Sequence, residues 1–99
     1  MINIIHAKNE AGGAFLVLSG EKNMGEMCYS LQDKVMSIVH TEIDAELRGQ
    51  HIGEQLVDKG VALAREHGYS IVPVCRFTKA VFEKDPEAVA DVWKKQPEN

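Results

Sequence analysis

An imidazole, a carboxylate, an arginine and a thiol are the groups of this chain with the most chemistry to offer. Three of them fall within "HTEIDAELRGQHIGEQL", His40 to Leu56, and the thiol is Cys75 in "YSIVPVC". An unperturbed imidazole has a pKa near 6.5, so a histidine such as His40 is the side chain suited to exchange protons at neutral pH. Glu42 follows two residues later on the same face of a strand, placed to orient the ring, to bind a cation or to form an ordinary salt bridge. A helix beginning at Ile52 offers unpaired N–H groups and the positive end of its dipole, which together make an anion site. Gly49 and Gly53 remove side chains where phosphates would approach the backbone, and Arg48 adds a forked cation. The spacing is neither Walker A nor GxGxxG, and a purely structural turn can use the same residues.

Those groups need elements to hold them. "AFLVLSG" (14–20) and the alternating "EMCYSLQ" (26–32) read as strands, joined by turn residues in "EKNMG". "QDK" connects tightly to a third strand, 35–43, and such short links favour an antiparallel meander. In that third strand Met36 and Ile38 share a face with His40 and Glu42, while Val35, Val39, Thr41 and Ile43 line the other. Apolar residues on both faces predict a central strand covered on both sides. From Ile52 the period becomes helical, with Ile52, Leu56, Gly60 and Leu63 inward and Gln55, Asp58, Lys59 and Arg65 outward, ending at Gly68. "YSIVPVC" is a further strand that Pro73 assigns to an edge or bulge. Two short helices follow; Asp85 is the expected cap of the second, Pro86 is its first residue, and Trp93 pins it to the body. Tyr29, Phe77, Phe82 and Cys28 are assigned to packing. The polar end, "KKQPEN", is expected to fray. The fold class is α+β: an antiparallel meander, a βαβ unit with a central helix, then short C-terminal helices.

Bulk properties narrow the function. Ninety-nine residues, 44% of them hydrophobic and 26% charged, suit one soluble domain spanning residues 1–99. A net charge of -4 with scattered basic residues argues against a nucleic-acid partner. No apolar run is long enough to span a membrane and no signal-peptide pattern opens the chain. Cys28 and Cys75 stand apart without a CxxC, as reduced thiols of a cytoplasmic protein do, and no ligand spacing for a metal is present.

Taken together, "HTEIDAELRGQHIGEQLVDKGVALAREHGYSIVPVC" resembles the cofactor-binding part of the GNAT-type N-acetyltransferases, and within them a small branch of about a hundred residues. The resemblance is close over 40–75 and looser from Phe15 to the final helices. It implies a GNAT-like acyl-CoA-binding domain with acetyl-CoA or coenzyme A as cosubstrate and no metal. Arg48, Gly49, Gln50, His51, Ile52 and Gly53 correspond to the pyrophosphate loop, with amides from Gln50 to Gly53 on the phosphates. His51 stands where the family has its first motif glycine. Ile43 and Asp44 would lie beside the pantetheine arm. His40 becomes the candidate base, Glu42 its partner or an amine ligand, and Cys75 an acid, a hydrogen-bond donor or an acceptor of the acetyl group. Ala45 replaces a common proline, and Ala88 replaces an aromatic that follows the family's "PE". The implied reaction is acetyl transfer to an amine, either a small molecule or a peptide or protein lysine. The alternative is a non-catalytic coenzyme A-binding or protein-interaction module on the same fold.

Overall fold

The computed structural model describes residues 2–94, so most of the polar end expected to fray lies outside the described residues. Five strands form one sheet in the order β1-β2-β3-β4-β5. They are β1 (Ile2–Asn9), β2 (Gly12–Ser19), β3 (Lys22–Gln32), β4 (Val35–Ile43) and β5 (Ser70–Pro73). The first four run antiparallel, and β5 lies parallel to β4 after the helix α1 (Ile52–His67). Two short helices follow, α2 (Arg76–Lys84) and α3 (Pro86–Val89). This is the expected α+β architecture, with one strand more than its sequence pattern indicated.

The extra strand is β1. "INIIHAKN" is an edge strand, half-buried at Ile2, Ile4 and His6 and exposed at Asn3, Ile5 and Ala7. Asn9 turns it into β2, its Oδ1 accepting from the N–H of Ala11 and Gly12 at 2.9 and 3.1 Å. The loop expected at "EKNMG" is shorter than it reads. Gly20 and Glu21 alone make the turn, and β3 begins at Lys22, with a register shift against β2 between Val17 and Leu18.

Between β3 and β4 the turn is just Asp33 and Lys34, both in the left-handed region at φ 52° and 64°. That is the backbone of a tight hairpin turn, which favours glycine at its second position. Lys34→Gly should therefore stabilise the protein by about 0.5–1 kcal/mol, read as a higher denaturant midpoint with unchanged slope. An unchanged or lower midpoint would count against the turn geometry.

One irregularity reorganises β4. Tyr29 pairs with Ile38 and the preceding Cys28 pairs with His40, so Val39 is one residue too many in β4. Such a bulge shifts every later side chain to the other face. Thr41, opposite the fully buried Met27, therefore lies on the helix-covered face with Met36 and Ile38. His40 and Glu42 lie on the opposite face with their partners Cys28 and Glu26. The strict alternation that grouped His40 and Glu42 with Met36 and Ile38 is thereby corrected. So is the expectation that both faces of this strand are covered, because Val39 is 48% exposed.

The core sits between the sheet and the helices. Val17, Met27, Met36, Ile38, Leu56, Val57, Ile71 and Phe82 are fully buried there. α1 stops as expected at Gly68, left-handed at φ 73°. Asp85 does precede α3 and Pro86 opens it, but the Asp85 carboxylate makes no cap hydrogen bond. Trp93 packs edge-on against Phe82 at 5.4 Å and bridges to Ile71 of β5, so the chain after α3 is tied to the sheet edge. Arg65 adds a second tie, its Nε and Nη2 donating to Asp91 at 2.8 and 3.0 Å. Among the described residues no helix is long and apolar enough to cross a membrane.

Candidate functional site

β4 delivers its chain into a short 3-10 turn, Ala45–Leu47, whose start Asp44 caps by accepting the Glu46 N–H at 2.9 Å. Leu47 is buried and anchors the turn, so Arg48 to His51 project beyond the body of the fold. Gly49 takes φ 84° and His51 takes φ 59°, and these left-handed residues swing the backbone into α1. The first bond of that helix runs from Gln55 N–H to His51 O at 3.1 Å. The N–H groups of Ile52, Gly53 and Glu54 precede it and have no partner one turn back. Together with the helix dipole they present positive charge.

A cleft of about 440 Å³ opens at this helix start, and Ile43, Arg48, Gly49, His51, Ile52 and Gly53 all line it. Six of the residues singled out in the sequence are thus brought to one cavity. Gln50 is not among them; its N–H is engaged by Leu47 O at 3.3 Å and its side chain reaches Glu46 O. Asp44 faces another cavity and serves the turn. The His51 ring, exposed, turns to Glu54 at 3.1 Å and leaves the backbone of the turn open. That contact holds the Glu54 carboxyl below its usual pKa.

Four lining residues, Thr41, Leu47, Glu54 and Phe77, were not anticipated. Phe77, 39% exposed, lays its ring over Gly53, where a Cβ would stand 2.5 Å from Cζ. Its only signal in the sequence is its position two residues after Cys75; it packs on Gly53 as assigned, but at the mouth of the cleft rather than inside the core. Tyr29 and Phe82, in contrast, are buried in the core. Thr41 is turned into the cleft by the bulge.

Cys75 stands behind Thr41 and Phe77. It is the N-cap of α2, its N–H donates to Ile38 O at 2.8 Å, and its thiol meets Thr41 Oγ1 at 3.5 Å. Burial pushes the thiol pKa up. The Thr41 hydroxyl, the N–H groups of Thr78 and Phe77 and the Thr78 hydroxyl outweigh it, so the thiol titrates below its ordinary value. This is the behaviour of a cysteine at a helix N-terminus.

His40 and Glu42 lie across the sheet from Cys75. The ring Nε2 is 3.6 Å from Glu42 Oε2, and both side chains are exposed. Beside them Cys28 donates to Glu26 Oε2 at 3.3 Å, and its thiol is pushed up by burial and by that carboxylate. Cys28 is half-buried on this outer face and is not a core residue. A second cavity, of about 480 Å³, opens on this side between Glu26, Glu42, Ile43 and Asp44. Ile43 borders both cavities.

A gap joins the two sides. The parallel pairing of β4 with β5 ends at Ile38 and Pro73, and the chain then leaves through Cys75 into α2. From Val39 to Ile43 β4 therefore has no β5 partner. A ligand lying in the cleft could reach His40 past that unpaired edge. Among the described residues no group of three or more His, Cys, Asp or Glu is placed to hold a metal ion.

Known proteins bear on this geometry. The family model of the GCN5-related N-acetyl-transferases matches residues 14–92. No curated protein matches the chain. A Staphylococcus aureus protein described as a GCN5-like N-acetyltransferase has 29% sequence identity and a TM-score of 0.73, covering 100% of this chain and 96% of that one. A Bacillus subtilis acetyltransferase solved in complex with CoA has 14% identity and a TM-score of 0.63, over 85% of this chain and 74% of that one. The ribosomal-protein-S18-alanine N-acetyltransferase of Escherichia coli has 13% identity and a TM-score of 0.64 over 78% of this chain. Only 53% of that enzyme is covered, so this chain spans about half its length. At these identities the last two likenesses concern the fold.

Proposed function

This chain belongs to the GCN5-related N-acetyltransferase family, and from that membership we propose that it carries acetyl-CoA in the cleft at the start of α1 and directs the acetyl group to an amine. The observation that carries this reading is the set of unpaired N–H groups at Ile52, Gly53 and Glu54 on the rim of a cleft of about 440 Å³.

The residues present fit the cosubstrate. The α1 amides and Arg48 supply donors and positive charge for a pyrophosphate. Ile43 and Phe77 give apolar contact to the arm beyond it. The unpaired edge of β4 after Val39 offers backbone donors and acceptors to the amide groups of that arm. When bound, acetyl-CoA supplies an activated acyl group; the protein's own groups do the rest.

His40 takes the proton of the attacking amine as general base. Glu42 keeps the ring oriented and draws a cationic amine to the outer face. Cys75, on the other side of the gap, protonates the departing sulfur or accepts the acetyl group itself. The acceptor side, open between Glu26, Glu42 and Asp44, suits a peptide or protein lysine as well as a small amine. Residues 1–99 act as one acyl-CoA-binding domain, in the cytoplasm where acetyl-CoA is available.

Calorimetric titration with acetyl-CoA, free coenzyme A and ATP tests the first step. Binding of both coenzymes but not of ATP is expected. No heat with any of them would remove the coenzyme reading, and binding without turnover on any amine would leave a coenzyme-binding module.

A further inference from the structure

Thr78 is out of place by the ordinary rules of a core. It sits one turn into α2, its side chain is fully buried, and its hydroxyl is the buried side-chain polar atom that makes no hydrogen bond among the described residues. A stranded hydroxyl of this kind destabilises a fold, and valine has nearly the same shape without that cost. The position three residues after the N-cap places it over Cys75. From β4 the Thr41 hydroxyl meets the same sulfur at 3.5 Å.

We infer that Thr78 and Thr41 are positioning residues for Cys75, two hydroxyls that hold its sulfur as a thiolate at the N-terminus of α2. The neutral thiol has one proton, which it donates to Thr41 Oγ1 at 3.5 Å, and its sulfur is a poor acceptor, so the Thr78 hydroxyl stays unpaired. Beside a thiolate it has a strong acceptor, and both hydroxyls can donate to it together with the N–H groups of Phe77 and Thr78. The orphaned group is thus complete in only one of the two protonation states, the nucleophilic one. The other influences on this thiol are few. Burial opposes its ionisation, and no charged side chain acts on it from β4, α1 or α2; His40 and Glu42 point off the opposite face.

The test is the pH profile of iodoacetamide alkylation at Cys75, followed by mass spectrometry in a Cys28→Ser background. Thr78→Val should move the midpoint upward and slow alkylation at neutral pH by about three- to tenfold, a shift of up to one pKa unit. Thr78→Ser, which keeps the hydroxyl, should retain the parent profile, and Thr41→Val should move it in the same direction as Thr78→Val. Because valine removes an unpaired group, Thr78→Val should unfold at the same or a higher temperature at a pH below the midpoint of the parent's alkylation profile, where the thiol is protonated. A profile unmoved by Thr78→Val, or moved equally by Thr78→Ser, overturns the assignment of Thr78. If Thr78→Val does not fold, an unmoved profile in Thr41→Val does the same for the pair. Alkylation needs no coenzyme, so this failure is distinguishable from failure of the acetyl-transfer reading on which the catalytic meaning of Cys75 rests.

Discussion

Gly53→Glu should lower the affinity for coenzyme A by at least about a hundredfold while the protein remains folded. Two effects act in the same direction. The new carboxylate enters the cleft where the α1 amides face outward, and at about 5 Å from a pyrophosphate near a protein surface the repulsion amounts to roughly 3 kcal/mol. Each 1.4 kcal/mol is tenfold in affinity. The side chain also has to displace Phe77, whose ring stands 2.5 Å from the Cβ position. Phe77 is 39% exposed and can swing outward, so the fold should survive, and a residue other than glycine gains helix propensity. Circular dichroism checks the fold and calorimetry the affinity. The double variant Gly53→Ala, Phe77→Ala separates the effects, because it relieves the clash without adding charge and should bind within about tenfold of the parent. A dissociation constant for Gly53→Glu within a few-fold of the parent would mean that the phosphates lie elsewhere.

His40→Ala should lower kcat by about a hundredfold or more and leave coenzyme affinity unchanged. The split follows from the bulge at Val39. His40 lies across the sheet from the cleft, exposed and paired with Glu42, so its removal takes nothing from the coenzyme side. The acid limb of the pH–rate profile should disappear with it, since a protonated ring cannot take the proton of the amine. Cys75→Ala should also lower kcat, and a sulfur held as a thiolate to accept the acetyl group stops working as it is protonated, so its pH signature lies on the acid side. A His40→Ala variant that loses coenzyme affinity as much as turnover would place the ring in the coenzyme site and remove it as base.

Much of this was legible in the residues themselves. The helix over Ile52–His67 announces itself by its period and its end by Gly68, and both hold in the structure because they depend on neighbours within a few residues. The same is true of the turn from Arg48 to Gly53, whose glycines and following helix are local facts. β1 was less visible: an edge strand buries one side chain in two only partly, so its pattern is faint.

The arrangement of reactive groups around β4 is of another kind. Period-two reading of "VMSIVHTEI" assumes an unbroken ladder, and the extra residue at Val39 exists only in the pairing of β4 with β3. That one residue sends Thr41 to the helix side and His40 to the other. The meetings of Thr41 with Cys75, 34 residues on, and of Gly53 with Phe77 likewise arise where separate elements pack. The sequence by itself determined which groups are present, the α+β class and the helix start that can receive an anion, since local periodicity and backbone preference suffice for these. Only the tertiary structure decided which face each group occupies, because a strand's faces are set by its partner's register.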